Sequence, residues 1–517
     1  MFGRVKSLDA ILATAEKKSL HRSLGAFQLT MLGVGAVIGT GIFVLTAEAA
    51  QKAGPGMLIS FVIAGVVCAV AALCYAEMAS MVPVSGSAYT FSSASMGEVV
   101  AWIVGWALIL EYAVAASAVS VGWSNYFVGI LKSGLDLELP VFFTKGAFAA
   151  VGGGINLPAV FIAIMVTGLL VLGTRESATF NAVLVVIKVV ALTAFIALAM
   201  PVMKMENFEP FAPLGIGGIS AAAASIFFAY VGFDAVSTAA EETKNPQRNM
   251  PIGLIGSLAI CTVFYLLVAS GAIGAVGAQP VTSAAGEFLA AGSKELQQRC
   301  VELAGAGNTP LVCSDEALAH VLREIGQVNV GNLIGLAAFL ALPSVVLMML
   351  FGQTRIFFVM ARDGLLPERL AKIHPRFHTP HVVTIITGFF VTLAAAFFPV
   401  GQLADISNSG TLFAFMTVAI GVLILRRTAP DRHRPFRTPL IWVIGPVAIA
   451  GCAYLFFNLS GYTELMFLGW ALVGLVVYFS YGRRMSHVGR GLVEVHETDA
   501  DIPPQPVPPL PGDTRLD

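Results

Sequence analysis

The chain has 517 residues, of which 57% are hydrophobic and only 12% are charged, whereas an ordinary soluble domain carries about 25% charged residues. This composition excludes a water-soluble fold for most of the chain and indicates an integral membrane protein. The 30 basic and 31 acidic residues give a formal net charge of -1, so no overall positive field favours nucleic acid as a partner.

Long apolar segments run through almost the whole chain. A helix needs about 20 mostly apolar residues to cross a bilayer, and the short alternating strands of a membrane β-barrel are not evident. The expected fold is therefore an all-α bundle embedded in a lipid bilayer. The twelve predicted spans are 27–50, 57–82, 97–130, 157–174, 178–200, 217–240, 252–276, 329–360, 380–399, 402–425, 439–457 and 463–482.

The distribution of lysine and arginine residues indicates how the chain is oriented in the membrane. Twelve spans place both termini on one side of the membrane. If that side is cytoplasmic, 22 of the 30 Lys and Arg residues lie inside, seven lie outside, and Lys188 falls within a span. Because inside loops are enriched in these residues, we expect a multi-pass protein of the cell (cytoplasmic) membrane with both termini in the cytoplasm.

Three segments lie outside the predicted bundle. Residues 1–26 are expected to form a charged cytoplasmic lead-in, and the proline-rich tail 483–517 is expected to be disordered. The segment 277–328 would be the long external loop, with Cys300 and Cys313 on the oxidising side. A disulfide between these two residues is the prediction, with two free thiols as the alternative.

The first span is unusually rich in glycine, with four glycines between Gly33 and Gly41. Each glycine weakens a helix by about 1 kcal/mol relative to alanine, so an interrupted helix is expected. Close helix packing through Gly35-x-x-x-Gly39 is the alternative interpretation. A dinucleotide fingerprint would require an α/β domain, which the apolar composition excludes.

The sixth span carries Gly232 and Asp234 near its middle. Interrupted spans at corresponding positions of two halves indicate the binding site of a transporter. Spans one and six correspond if the core is two five-span repeats, and an odd number of spans makes the repeats inverted. The predicted organisation is a first repeat over 27–200, a second over 217–425, and two further spans over 439–482.

The two interruptions suggest a site for a zwitterion, because unwound backbone needs polar partners inside a membrane. The N–H groups of Ile38, Gly39, Thr40 and Gly41 are predicted to bind an α-carboxylate at a half-helix N-terminus. Carbonyls near the interruptions are predicted to accept hydrogen bonds from the α-ammonium. The residues carrying them are Val37, Phe228, Ala229 and Val231. The Phe228 ring would either close over the substrate or serve in packing.

Four ionisable residues lie at or near membrane depth, where such groups are costly and often functional. Lys188 is predicted to gain and lose a proton during transport, with a structural partnership to Asp234 or Glu111 as the alternative. Glu111 would either face the substrate side chain or stabilise a neighbouring helix. Structural roles are predicted for Asp234, as a cap after the second interruption, and for Glu77.

Four stretches together resemble the amino acid–polyamine–organocation transporter superfamily, especially bacterial relatives of the cationic amino acid transporters. They are GAVIGTGIF at 35–43, YAEMASMVPVSGSAY at 75–89, FAYVGFD at 228–234 with EETKNP at 241–246, and RIFFVMARDGLLP at 355–367. The resemblance implies a leucine-transporter-like fold of twelve helices, with two inverted repeats of five and two additional spans. It also implies that Lys188 matches the lysine of proton-coupled members.

These observations lead to one functional hypothesis. The chain is expected to be a proton-coupled amino acid symporter that works by alternating access, with an exchanger or facilitator of cationic amino acids or polyamines as the alternative. No enzyme activity, cofactor or metal site is expected, and protons would be the coupling ion. The expected partners are the amino acid and the lipid bilayer, with the protein itself a monomer.

Overall fold

The computed structural model describes residues 24–84, 86–173, 178–377, 379–487 and 490. Within these ranges the regular structure is helical, apart from three isolated β-bridges. Most of the predicted charged N-terminal segment, the inner loop containing Arg175 and nearly all of the proline-rich tail lie outside the described residues.

The helices follow the predicted spans closely. In chain order they are α1 (Ala26–Val37), α2 (Thr40–Phe43), α3 (Leu45–Ala53), α4 (Met57–Met81), α5 (Ser87–Ser95), α6 (Glu98–Leu135), α7 (Val141–Thr144), α8 (Leu157–Leu172), α9 (Ala178–Ala199), α10 (Gly215–Ile226), α11 (Pro246–Val276), α12 (Lys294–Gly305), α13 (Ala317–Glu324), α14 (Val328–Arg362), α15 (His381–Phe397), α16 (Val400–Thr428), α17 (Ile441–Phe456), α18 (Gly461–Val477) and α19 (Arg483–Met485).

Seven helical stretches of the described chain are long and apolar enough to cross a membrane, which makes this a multi-span membrane protein. They are Leu45–Met81, Glu98–Leu135, Ala182–Val202, Pro246–Val276, Val328–Arg362, Val400–Thr428 and Gly461–Met485. Five shorter apolar helices lie where the other five spans were predicted: Ala26–Val37, Leu157–Leu172, Gly215–Tyr230, His381–Phe397 and Ile441–Phe456. The full count of twelve crossings stays a prediction.

The centre of the bundle is built around α6, which packs against α14 and α16, while α11 packs against α1 and α4. Small residues allow the closest approaches between these helices. A Cβ on Gly253 of α11 would lie 2.8 Å from the Leu29 Cβ of α1, and one on Gly33 would lie 2.6 Å from the Ser257 Cβ. Close packing through small residues is therefore present at Gly33 and Gly253, while the predicted packing through Gly35 and Gly39 stays a prediction.

A proline in α14 creates a polar contact at the centre of the bundle. Pro343 has no N–H to donate to the carbonyl of Phe339. The indole N–H of Trp123, on α6, donates to that carbonyl at 2.9 Å. Two residues further along, Val345 lies against Gly39, where a Cβ would be 3.6 Å from both valine methyl carbons. The α14 helix is thus held next to the first interruption.

Candidate functional site

The first interruption separates α1 from α2. Helix α1 ends at Val37, Ile38 takes an extended ψ of 97°, and Gly39 is fully extended with φ of -149° and ψ of -150°. Among the described residues, the N–H groups of Gly39, Thr40 and Gly41 donate no hydrogen bond. The Thr40 hydroxyl is buried and also lacks a hydrogen-bond partner there. The Ile38 N–H, which the sequence also predicted as a carboxylate donor, instead donates to the Val34 carbonyl at 2.9 Å. Three N–H groups and the Thr40 hydroxyl therefore remain as donors beside the first interruption.

The second interruption follows α10. One turn of 3₁₀ helix covers Phe227–Tyr230, Val231 is extended with ψ of 137°, and a further 3₁₀ helix runs over Asp234–Glu242. Between them, Gly232 has a φ of 116°. That left-handed region is open to glycine at little cost and disfavours every residue with a side chain. The glycine singled out in the sequence is therefore the one at which the chain turns.

The two interruptions cross at contact distance. A Cβ on Gly41 would lie 2.6 Å from the Cβ and 2.8 Å from the backbone nitrogen of Ala229. A Cβ on Gly232 would lie 3.0 Å from the carbonyl oxygen of Ala36. Each of these two contacts thus requires a glycine in one of the two segments. Together the contacts bring both unwound segments into one small region.

Two side chains hold the carbonyls at this crossing. The Tyr265 hydroxyl, on α11, lies 2.8 Å from the Val37 oxygen and 2.8 Å from the Ala229 oxygen. Because a hydroxyl has one proton, Tyr265 donates to one of these carbonyls at a time. The Lys188 ammonium, on α9, donates to the Gly35 oxygen at 2.7 Å. The lysine therefore contacts the last turn of α1, immediately before the first interruption.

The predicted ammonium acceptors differ in their availability. The Phe228 carbonyl accepts the Val231 N–H at 3.2 Å, and the Val37 and Ala229 carbonyls face Tyr265. The carbonyls of Ile38 and Val231 accept no hydrogen bond from the described residues. In this conformation these two oxygens, one from each interruption, are available as acceptors for an ammonium group.

Asp234 stabilises the second interruption. Its Oδ2 accepts from the Tyr112 hydroxyl at 2.6 Å, and its Oδ1 accepts from the Gly232 N–H at 3.3 Å. It is fully buried. Asp234 is the first residue of the Asp234–Glu242 helix, whose cap position, Phe233, has no side-chain cap hydrogen bond. The carboxylate therefore holds the turn at Gly232 and does not cap the helix as predicted.

Glu111 lies in the packing between α6 and α16. It is fully buried, and neither carboxyl oxygen accepts a hydrogen bond within the described chain. The nearby Thr411 hydroxyl donates instead to the Ser407 carbonyl at 3.2 Å. Ser407 in turn donates to the Glu111 backbone carbonyl at 3.1 Å. The geometry leaves both predicted roles of Glu111 open.

Glu77 lies at a structural ion pair away from the crossing. Its two oxygens accept from Arg426 at 2.7 and 2.8 Å, and Oε2 also accepts from the Thr438 N–H at 2.8 Å. The buried Arg434 lies 3.4 Å from Oε1. These contacts join α4 to α16 and to the connection that follows it.

A polar cluster closes the side of the crossing that the predicted topology makes external. Lys52 of α3 lies 2.9 Å from Glu48 and 3.4 Å from Asp405 of α16. The Ser225 hydroxyl, near the end of α10, contacts Lys52 and donates to the other Asp405 oxygen at 2.6 Å. The cluster ties together both interrupted segments and α16.

Sequence reasoning found both interruptions and Lys188, but it missed Tyr265, Tyr112 and the Lys52–Asp405 pair. Asp405 and Lys52 are charged residues at the ends of apolar segments, a signal too common to single them out. In the segment predicted to be external, Cys300 and Cys313 form a disulfide. Among the described residues, no group of three or more His, Cys, Asp or Glu could hold a metal ion.

Comparisons with known proteins place this geometry in a family. The family model described as amino acid permease matches residues 24–480. A branched-chain amino acid permease of Bacillus subtilis (strain 168) is 46% identical over 494 residues, which cover 94% of this chain and 99% of the relative. A methylthioribose transporter of the same organism is 40% identical, covering 93% and 98% respectively.

A more distant relative carries the cationic transporter name that the motifs suggested. Cationic amino acid transporter 4 of Homo sapiens is 32% identical over 428 residues, covering 82% of this chain and 62% of the human protein. The family model and the Bacillus subtilis permease both match nearly the whole bundle, including both interruptions. These matches identify the chain as a transporter and not an enzyme. It belongs to the amino acid permease family of the amino acid–polyamine–organocation superfamily.

Proposed function

We propose that the protein is a proton-coupled symporter of neutral, branched-chain amino acids in the cell membrane. The observation that carries the proposal is the crossing of the two interruptions, where the N–H groups at 39–41 and the carbonyls of Ile38 and Val231 have no hydrogen-bond partner among the described residues. An unsatisfied buried polar group costs about 1–3 kcal/mol. A zwitterion supplies acceptors to the first set and donors to the second.

The side-chain class comes from the relatives. The bacterial relative at 46% identity is named a branched-chain amino acid permease, and it aligns over nearly its whole length. The wall beside Gly39 is formed by the Val345 methyl groups, and an apolar wall of this kind suits an aliphatic side chain.

Lys188 is proposed to couple transport to protons. When protonated, its ammonium holds the Gly35 carbonyl at 2.7 Å and so fixes the last turn of α1. The side chain is only 1% exposed, so this hydrogen bond lies inside the bundle. Loss of the proton would remove the charge-assisted hydrogen bond and free α1 to move.

The proposed mechanism is alternating access, and the proposed fold is leucine-transporter-like. It comprises twelve spans, two inverted repeats over 27–200 and 217–425, two further spans over 439–482, and cytoplasmic termini. In this fold α1 and the Asp234–Glu242 segment lie on the inner side of the crossing. Helices α3 and α10 lie on the outer side, where the Lys52–Asp405 cluster closes the path.

Exchange of cationic amino acids is the second candidate. The specific observation in its favour is Glu111, a buried carboxylate whose oxygens accept no hydrogen bond from the described residues, since such a group would pair with a cationic side chain. The cationic transporters among the relatives agree with this alternative. Competition by arginine or lysine separates the two candidates.

Uptake into proteoliposomes tests the proposal. Labelled leucine, isoleucine and valine should be accumulated with an inward proton gradient, and unlabelled arginine, lysine and methylthioribose should compete weakly. Lys188→Ala should abolish gradient-driven accumulation. The matched control is Lys132→Ala, which removes an exposed lysine paired with Glu138 and should leave accumulation unchanged. If Lys188→Ala accumulates leucine like the unmodified protein, the coupling role is wrong; if no amino acid competes, the substrate class is wrong.

A further inference from the structure

The segment between α11 and α14 has no role in the proposed transport cycle so far. It comprises residues 277–328, which we name the outer segment, and it contains α12 and α13. The Cys300–Cys313 disulfide joins α12 to the short 3₁₀ turn Leu311–Cys313 that precedes α13. One face of α13 is fully buried against the bundle through Leu318, Val321 and Leu322. The outer segment is therefore packed onto the protein and is not a loose loop.

One end of the outer segment is attached to α3. The buried Gln51 amide donates to the Val281 oxygen at 3.0 Å and to the Leu289 oxygen at 2.6 Å, and its own oxygen accepts the Val281 N–H at 2.8 Å. Gln51 immediately precedes Lys52 on the outer half of the first interrupted span. This attachment links the outer segment to the helix that must move when the outer side opens.

The other end is attached to α6 and α14. The Glu316 carboxylate lies against Gly129 of α6, where a Cβ would come within 2.6 Å of Oε2. Arg323 donates to Glu316 at 3.0 Å and to the Asn332 amide oxygen of α14 at 3.0 Å. The outer segment therefore bridges α3 to α6 and α14, and the outer side cannot open fully while both attachments hold.

Glu316 is the titratable group at the second attachment. Its side chain is only 9% exposed, and burial raises its pKa to about 7 despite the neighbouring Arg323. The other charged groups facing it are Asp315, which raises the pKa, and Lys145, which lowers it and lies 2.6 Å from Asp315. Tyr126 of α6 faces the same carboxylate and donates to the Phe43 carbonyl at 2.8 Å.

We propose that Glu316 accepts a proton from the external solution and that its protonation holds the outer segment closed over α3. This gives the transporter an external proton site that is separate from Lys188. The proposal takes residues 277–328 as external, as in the topology given above.

The direction of the effect follows from linkage. A solvated glutamate has a pKa near ~4.3, so the closed state, in which the pKa is about 7, binds the proton more tightly. Protonation therefore favours closure, and closure weakens as the pH rises through about 7. Between pH 6 and pH 8 the ratio of closed to open outer segment should fall about tenfold. Burial lowers the pKa of His320, on α13, below its usual value of 6.5, so this histidine loses its proton at a lower pH than Glu316.

The experiment measures a distance in the absence of substrate, so its failure is distinct from failure of the proposed transport function. Spin labels are placed on Ala304→Cys in α12 and Ser133→Cys in α6, both at exposed positions, and pulsed electron resonance is recorded in lipid nanodiscs at pH 6 and pH 8. A single short distance is expected at pH 6, with a longer population appearing at pH 8.

Three variants complete the test. Glu316→Gln is neutral at every pH and should keep the short distance at both values. Gly129→Ala should displace the carboxylate and give the longer population at both. Glu138→Gln, which neutralises an exposed carboxylate paired with Lys132 on the same side, should keep the pH response. The proposal is overturned if the distances are the same at pH 6 and pH 8, or if Glu316→Gln retains the pH response.

Discussion

The crossing of the two interruptions can be tested by adding a single methyl group. In Gly41→Ala the new Cβ would lie 2.6 Å from the Ala229 Cβ and 2.8 Å from its backbone nitrogen. Ordinary van der Waals contact begins near 3.4 Å, and the Ala229 Cα lies nearer still to the new Cβ, so the two segments must separate by about 1 Å or more. Because one obstacle is backbone and cannot rotate away, the substitution should cost about 1–3 kcal/mol.

Two measurements on Gly41→Ala follow from that estimate. Thermal unfolding in detergent should begin at a lower temperature. If the same strain of about 1–3 kcal/mol acts on the transporting conformation, leucine uptake should fall by about fivefold to about 150-fold, since roughly 1.4 kcal/mol corresponds to a factor of ten. The separation also shifts the N–H groups at 39–41 away from the carbonyl of Val231, which should weaken binding of a zwitterion that contacts both.

Gly217→Ala is the matched control. Gly217 lies within α10, and a Cβ there would meet no atom within 4 Å. The same chemical change should therefore leave uptake intact and raise stability by up to about 1 kcal/mol through helix propensity. Wild-type uptake and unfolding for Gly41→Ala would refute the close crossing of the interruptions.

Three further substitutions test the polar contacts around the crossing. Tyr265→Phe removes the proton shared by two carbonyls and should destabilise the protein by about 1–3 kcal/mol, with a loss of uptake; unchanged melting and uptake would contradict the bridging role. Glu77→Gln should lower the melting temperature because it leaves the Arg426 guanidinium without its carboxylate partner, while leucine affinity in the folded fraction stays unchanged. Asp405→Asn should weaken closure of the external side by removing the counter-ion of Lys52. The measurement is the rate at which an impermeant thiol reagent labels a cysteine introduced at the crossing. Faster labelling would show the weaker closure, and an unaltered rate would exclude it.

The sequence determined the elements and the places where they break. Apolar runs of about 20 residues predicted helices at all twelve positions, because the cost of burying backbone polar groups in lipid is met locally within each helix. The glycines at 39, 41 and 232 could also be identified from the sequence, because helix propensity and access to positive φ are properties of single residues. The disulfide pair stood out because both cysteines lie in the long polar segment between the seventh and eighth predicted spans.

Only the tertiary structure decided which groups meet. Tyr265 and the Val37 carbonyl are 228 residues apart, and Lys52 and Asp405 are 353 apart. A tyrosine in an apolar helix or a charge at a helix end carries no local sign of its partner, since the contact depends on how helices pack. The same holds for Gly129, which leaves room for the Glu316 carboxylate only because α13 folds back over α6. Propensity and hydrophobicity act within a segment, whereas the substrate groups, the external cluster and the outer segment are assembled from helices distant in the chain.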